Sequence, residues 1–164
     1  VLIEGWNTGW DGNWIENGHL FNFTQATDDY DIEAISAHAR KVGVPVIGHH
    51  ETGANVKNYE KQIEDAFAFA NQHGIRAVKT GYVGNRLDKE QWHHGQYMVQ
   101  HHNRVIRTAA KNKVAINAHE PIKDTGLRRT YPNIMSREGA RGGEYDAWGP
   151  ATPVSNTHLT LPTK

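Results

Sequence analysis

The sequence contains no cysteine, which excludes a disulfide framework and a thiolate zinc site and leaves the redox compartment open. Long apolar runs are missing too: nothing approaches the roughly 18 to 20 residues that a membrane span needs. There is no excess of charge, because 18 basic residues balance 18 acidic ones. No Lys/Arg cluster is interleaved with aromatics, so nothing marks a nucleic acid or an anionic membrane as a partner, and a neutral substrate fits better. The opening "VLIEGWN" has neither an initiator Met nor a basic signal region and reads as a start in mid-strand. Apolar residues are also scarce, at 37% of 164 residues, with a mean hydropathy of −0.71. The chain is long enough for one domain with a real core, yet it is expected not to own every surface that covers its sheet.

What is present is an alternation of strand-like and helix-like segments. Residues 1–6 ("VLIEGW"), 44–50 ("VPVIGHH"), 75–83 ("IRAVKTGYV") and 114–119 ("VAINAH") are short, β-branched and continuously apolar, as strands buried on both faces are. A fifth strand is expected near "YPNIMSREG". Between them, Ile32, Ile35 and Ala39 form one helical stripe, with Asp29 or Asp31 as cap and Gly43 as stop. Tyr59, Ile63, Ala66, Phe67 and Ala70 form another that ends at Gly74. A longer helix is expected from about Asp88 to Asn112. This recurrence is that of βαβ units on a parallel sheet, and the class is α/β. An open doubly wound sheet would collect its polar residues at one switch point, whereas here each strand delivers them at its C-terminal end: Glu4-Gly5-Trp6-Asn7, His49-His50-Glu51, Lys79-Thr80-Gly81-Tyr82 and Asn117-Ala118-His119-Glu120. That pattern favours the mouth of a (β/α)8 TIM barrel. A full barrel takes about 250 residues and eight strands, so residues 1–149 are read as part of one. Residues 150–164, including "ATPVSNTHLTLPTK", shift toward Thr and Pro and read as a disordered or foreign tail.

Glu51, Glu120, Glu138 and Glu144 stand at or after strand ends in Gly/His-rich contexts, whereas Glu60, Glu64, Asp65 and Glu90 read as wet-face carboxylates. Gathered carboxylates suit acid/base work across a scissile bond, binding of a hard cation such as Ca²⁺, or both. Lys79 at the end of an interior strand is costly unless it meets a carboxylate or a ligand hydroxyl. Trp6, Trp10, Trp14 and Tyr82 are either packing residues or platforms for sugar faces. "HH" recurs at 49–50, 93–94 and 101–102, but the spacing lacks the His-Glu-x-x-His pattern of a zincin; His93, His94, His101 and His102 are expected to be solvated or rim residues. A His-rich metallohydrolase barrel is the other enzyme class open at this point.

The stretches "VLIEGWNTGWDGNW", "HHETGANVKNYE", "VKTGYVGN", "HHGQYMVQHHNRVIRTAAKNKVAINAHEP", "GLRRTYPN" and "REGARGGEYDAWG" together resemble the central segment of glycoside hydrolase family 97, over Val1 to about Gly149. The resemblance implies a catalytic (β/α)8 barrel of which this chain supplies roughly strands 2 to 6, truncated at both ends. It implies Glu144 as general acid, and Glu51 with Glu120 as the pair that activates water in inverting members. Glu120 and Glu138 match Ca²⁺ ligands, and His49, Lys79 and His119 match sugar-contacting positions; Trp6 is added as a substrate-binding candidate. Retaining members carry an aspartate nucleophile where this chain has Gly81. The resemblance therefore implies an inverting, Ca²⁺-dependent α-glucosidase acting on malto-oligosaccharides in the periplasm or outside the cell. Its alternatives are a retaining α-galactosidase of the same family and an inactive, at most sugar-binding, fragment.

Overall fold

The computed structural model describes residues 1–139. The element order is α1 (Ile32–Val42), β1 (Gly48–Glu51), α2 (Val56–Gln72), β2 (Ala77–Gly81), β3 (Arg86–Leu87), β4 (Gln91–Trp92), α3 (Gln96–Lys111), β5 (Ala115–His119) and β6 (Ile134–Glu138). Strands β1, β2, β5 and β6 form a four-stranded sheet in that order, and every pair in it is parallel. Order in space follows order in the chain, so the described strands contain no reversal and no switch point. This is the arrangement of a barrel wall rather than of a doubly wound sheet.

The helices carry the expected signals. Asp31 accepts a hydrogen bond from the Ala34 amide and caps α1, and Gly43 closes it in the left-handed conformation. On α2, Val56, Tyr59, Ile63, Ala66, Phe67 and Ala70 are buried. From Tyr59 to Ala70 that stripe shares one apolar core with Val78 of β2 and Ile116 of β5, while Val56 belongs to a second cluster. On α1 the expected stripe is only partly used: Ile32 is buried, but Ile35 and Ala39 line an open apolar groove with Val42 and Val44. This agrees with the low apolar content.

Two expectations are corrected. Residues 1–6 do not form a strand: Leu2 makes a single parallel bridge to Ile47, and Gly5, at φ +65°, turns the chain out of extended geometry. The helix expected from Asp88 begins only at Gln96. Asp88 and Lys89 take left-handed φ values of 52° and 64° in the three-residue loop that joins the paired Leu87 and Gln91 of the β3–β4 hairpin. The fifth strand is found as β6, paired with β5 through His119 and Glu138. The tail at 150–164 lies outside the described residues.

Urea denaturation of the chain should rank two substitutions. Phe67→Ala removes a ring that is 0% exposed and is expected to cost about 3 to 5 kcal/mol. Asp31→Ala removes only a cap and should cost about 1 kcal/mol.

Candidate active site

The parallel register brings the strand ends together. His49 of β1 stands beside Lys79 of β2, and Lys79 beside Asn117 of β5. Two residues further along, Glu51 stands beside Gly81. Side chains at such paired positions leave the sheet on the same face, so whatever stands at 81 shares its space with Glu51. A Cβ placed at Gly81 would overlap Oε2 of Glu51 and lie 2.8 Å from its Cδ. The glycine makes the room in which the carboxylate sits.

That carboxylate is 4% exposed. Its Oε1 accepts the amides of Thr52 at 3.0 Å and Gly53 at 2.9 Å. Burial, then the charge of Glu120, push the Glu51 carboxyl up to about 7 against the stabilising amides. Glu120 follows β5 in a left-handed conformation, φ +48°, and its Oε2 accepts the Tyr82 amide at 2.6 Å. Donor atoms of Glu51, His119 and Glu120 all lie within 4.8 Å of one another. His119 is flanked on both sides, with Nδ1 at 3.4 Å from Glu120 and Nε2 at 3.3 Å from Glu138. Glu138 thus joins the cluster through the imidazole.

On the β1 side, Lys79 Nζ lies 3.6 Å from Glu4 and His49 Nε2 lies 4.0 Å from the same oxygen. Burial pulls His49 down to about 4, which the Glu4 charge opposes. The two histidines of "GHHE" go opposite ways: His49 faces the strand-end cluster, while His50 points into the core, where its Nδ1 meets the Tyr59 hydroxyl at 2.8 Å. Strand alternation alone separates them.

The structure therefore brings together Glu51, His119 and Glu120, joins Glu138 to them, and sets His49 and Lys79 around Glu4. Trp6 is corrected: it is 5% exposed, stacks on Phe69 at 5.8 Å and spends its indole N–H on the His49 carbonyl at 2.8 Å. A ring buried on that side offers no face to a sugar; it supports the strand that carries His49. Tyr82 is likewise a core residue, 0% exposed. Trp10 stacks on Trp14 and on Phe21 and lies 6.0 Å from the His49 ring. The histidines expected at the rim are also corrected, His94 excepted: His93, His101 and His102 are buried. His101 pairs with Glu60 and with the Tyr82 hydroxyl, so Glu60 is no wet-face carboxylate. Glu144 lies outside the described residues. Sequence reasoning missed the roles of Glu4, His93 and the Tyr82 amide; only Glu4, at an expected strand end, left a visible signal.

A family model described as Glycoside hydrolase 97 matches residues 1–140. Two solved structures, of a family 97 glycoside hydrolase from a Pseudoalteromonas species in complex with acarbose and of a variant in complex with panose, are each 55% identical, with a TM-score of 0.84. The match covers 91% of this chain and 24% of each of those chains. A curated relative, the retaining alpha-galactosidase of Bacteroides thetaiotaomicron, is 24% identical over 151 residues, which is 90% of this chain and 19% of that protein. The chain thus spans about a fifth to a quarter of the length of these relatives.

The raised Glu51 carboxyl has a consequence for stability. Its contribution is fully present below the unfolded carboxylate pKa and is lost as pH rises through about 7. With a chelator present, Glu51→Gln should match the parent chain's stability dependence below about pH 4 and gain on it up to about pH 8, by on the order of 3 kcal/mol. A gap that does not vary with pH in urea titrations would contradict this.

Proposed function

Since the chain belongs to glycoside hydrolase family 97, we propose that its parent protein hydrolyses α-glucosidic bonds of malto-oligosaccharides with inversion. The observation that carries the reading is the overlap at Gly81. A retaining mechanism of the kind the family resemblance implies needs a carboxylate on residue 81, and the Glu51 carboxylate fills that space. The two are alternatives, and this chain has Glu51.

In the proposed mechanism Glu144 protonates the glycosidic oxygen as the bond from the anomeric carbon to it breaks. A water on the opposite face attacks the same carbon, and its proton passes to the Glu51/Glu120 pair. Burial and the Glu120 charge raise the cost of ionising Glu51, so Glu51 holds a proton more readily than a solvated carboxylate and is poised as a base near neutral pH. The Tyr82 amide fixes Glu120, and the amides of Thr52 and Gly53 fix Glu51, so neither must reorganise when the water loses its proton. His49, Lys79 and His119 are proposed to bind sugar hydroxyls.

Ca²⁺ is proposed as cofactor, held by Glu120 and Glu138. Their carboxylates are the hard oxygen donors that it prefers, and they converge from either side of His119. When bound, it would help to orient the sugar through its hydroxyl oxygens. The four-stranded sheet, with the Leu2–Ile47 bridge ahead of it, is proposed to fall within roughly strands 2 to 6 of a (β/α)8 barrel. Among the described residues no helix is long and apolar enough to cross a membrane, and a periplasmic or secreted location is proposed from the family. An isolated 164-residue chain is proposed to be inactive, because an unclosed sheet leaves edges unpaired. The second reading, a retaining α-galactosidase, draws on the name of the curated relative.

The test uses the full-length parent protein. It should hydrolyse a nitrophenyl α-glucoside in preference to the α-galactoside, and Glu51→Gln should lower kcat by about 10² to 10⁴. A preference for the galactoside, or a Glu51→Gln variant of nearly full activity, would overturn the reading.

A further inference from the structure

His93 follows the β3–β4 hairpin and is 6% exposed. Its Nδ1 lies 2.8 Å from the Gly84 carbonyl oxygen and its Nε2 lies 2.8 Å from the carbonyl oxygen of Glu120. Both partners are acceptors only, so the tautomer with its proton on Nε2 donates to the Glu120 carbonyl and the one with its proton on Nδ1 donates to the Gly84 carbonyl. One imidazole thereby ties the loop after β2 to the residue after β5.

The hairpin that carries this ring is itself held from outside the sheet. The Asp88 amide donates to the Ala54 carbonyl at 2.7 Å, and Asp88 Oδ1 accepts the Lys57 amide at 3.0 Å in the first turn of α2. Leu87, 0% exposed, packs with Val56, Tyr82, Met98 and Ile122. The His93 amide donates to the Asn85 carbonyl at 3.2 Å. Its ring therefore stands on a braced support.

Glu120 needs such a support. A non-glycine residue at φ +48° persists only where its surroundings over-determine it. Two contacts do so here: the Tyr82 amide on its carboxylate and the His93 ring on its carbonyl. We propose that His93 is a positioning residue for Glu120, holding its backbone in the left-handed conformation from which the carboxylate reaches the Tyr82 amide and faces Glu51. It touches no substrate. The importance of that geometry for hydrolysis rests on the proposed role of Glu120 in activating water.

The test is residue-resolved hydrogen exchange of the full-length protein, with steady-state kinetics beside it. His93→Phe keeps the ring's bulk and removes its hydrogen-bonding nitrogens, whereas His93→Gln keeps a side-chain donor. The Tyr82 amide should exchange at least about tenfold faster in His93→Phe, with Val78 and Ile116 of the sheet unchanged and His93→Gln intermediate. On an α-glucoside, kcat should fall with KM little altered. Wild-type exchange at Tyr82, or an acceleration shared equally by Val78 and Ile116, would overturn the proposal. If His93→Phe does not fold, the same comparison in His93→Gln decides. A wild-type protein with no α-glucosidase activity would sink the proposed function alone, because Tyr82 exchange reads the positioning without turnover.

Discussion

A buried carboxylate seated over a glycine organises this part of the molecule. Glu51 ends β1 beside Gly81 of β2, and the missing side chain at 81 lets the carboxylate fold back over the neighbouring strand. Burying a charge there is unfavourable, and two features make it tolerable. Two backbone amides point at one oxygen, and burial together with the nearby Glu120 charge pushes the carboxyl toward its neutral form. The same features that make the group tolerable when buried make it a base suited to neutral pH.

The rest of the described chain reads as support for that pair. Strand alternation turns His49 toward the site and His50 into the core against Tyr59. Trp6 holds the carbonyl of His49 from behind. Tyr82 presents its amide to Glu120 while its hydroxyl meets His101, which pairs in turn with Glu60 of α2. Rings and carboxylates that composition would place in water are spent on fixing strand ends. That is where a parallel α/β fold keeps its chemistry.

Much of this architecture was legible because β1, β2, β5 and the α2 stripe follow simple periodicity: strands buried on both faces stay apolar, and a helix covering them repeats every three to four residues. The extended run at the start was not, because Gly5 breaks it after one bridge. Nor was the β3–β4 hairpin, since its three-residue loop, Asp88-Lys89-Glu90, lacks the glycine that announces such turns. Among site residues, Glu51, Glu120, His119, Glu138, His49 and Lys79 were visible as polar groups at strand ends. His93 and His101 were not, because an imidazole is buried only when a partner awaits it. Here the partners, the Glu120 carbonyl and Glu60, lie 27 and 41 residues away. The fit between Glu51 and Gly81 is a matter of register, which no single segment reveals.

The stereochemistry of the released sugar tests the central claim most directly, since the proposed inversion rests on Glu51 filling the space that a side chain on residue 81 would need. Proton NMR of the first product formed by the full-length parent protein from an α-glucoside, followed before mutarotation, should show β-glucose. Release of α-glucose would contradict the account.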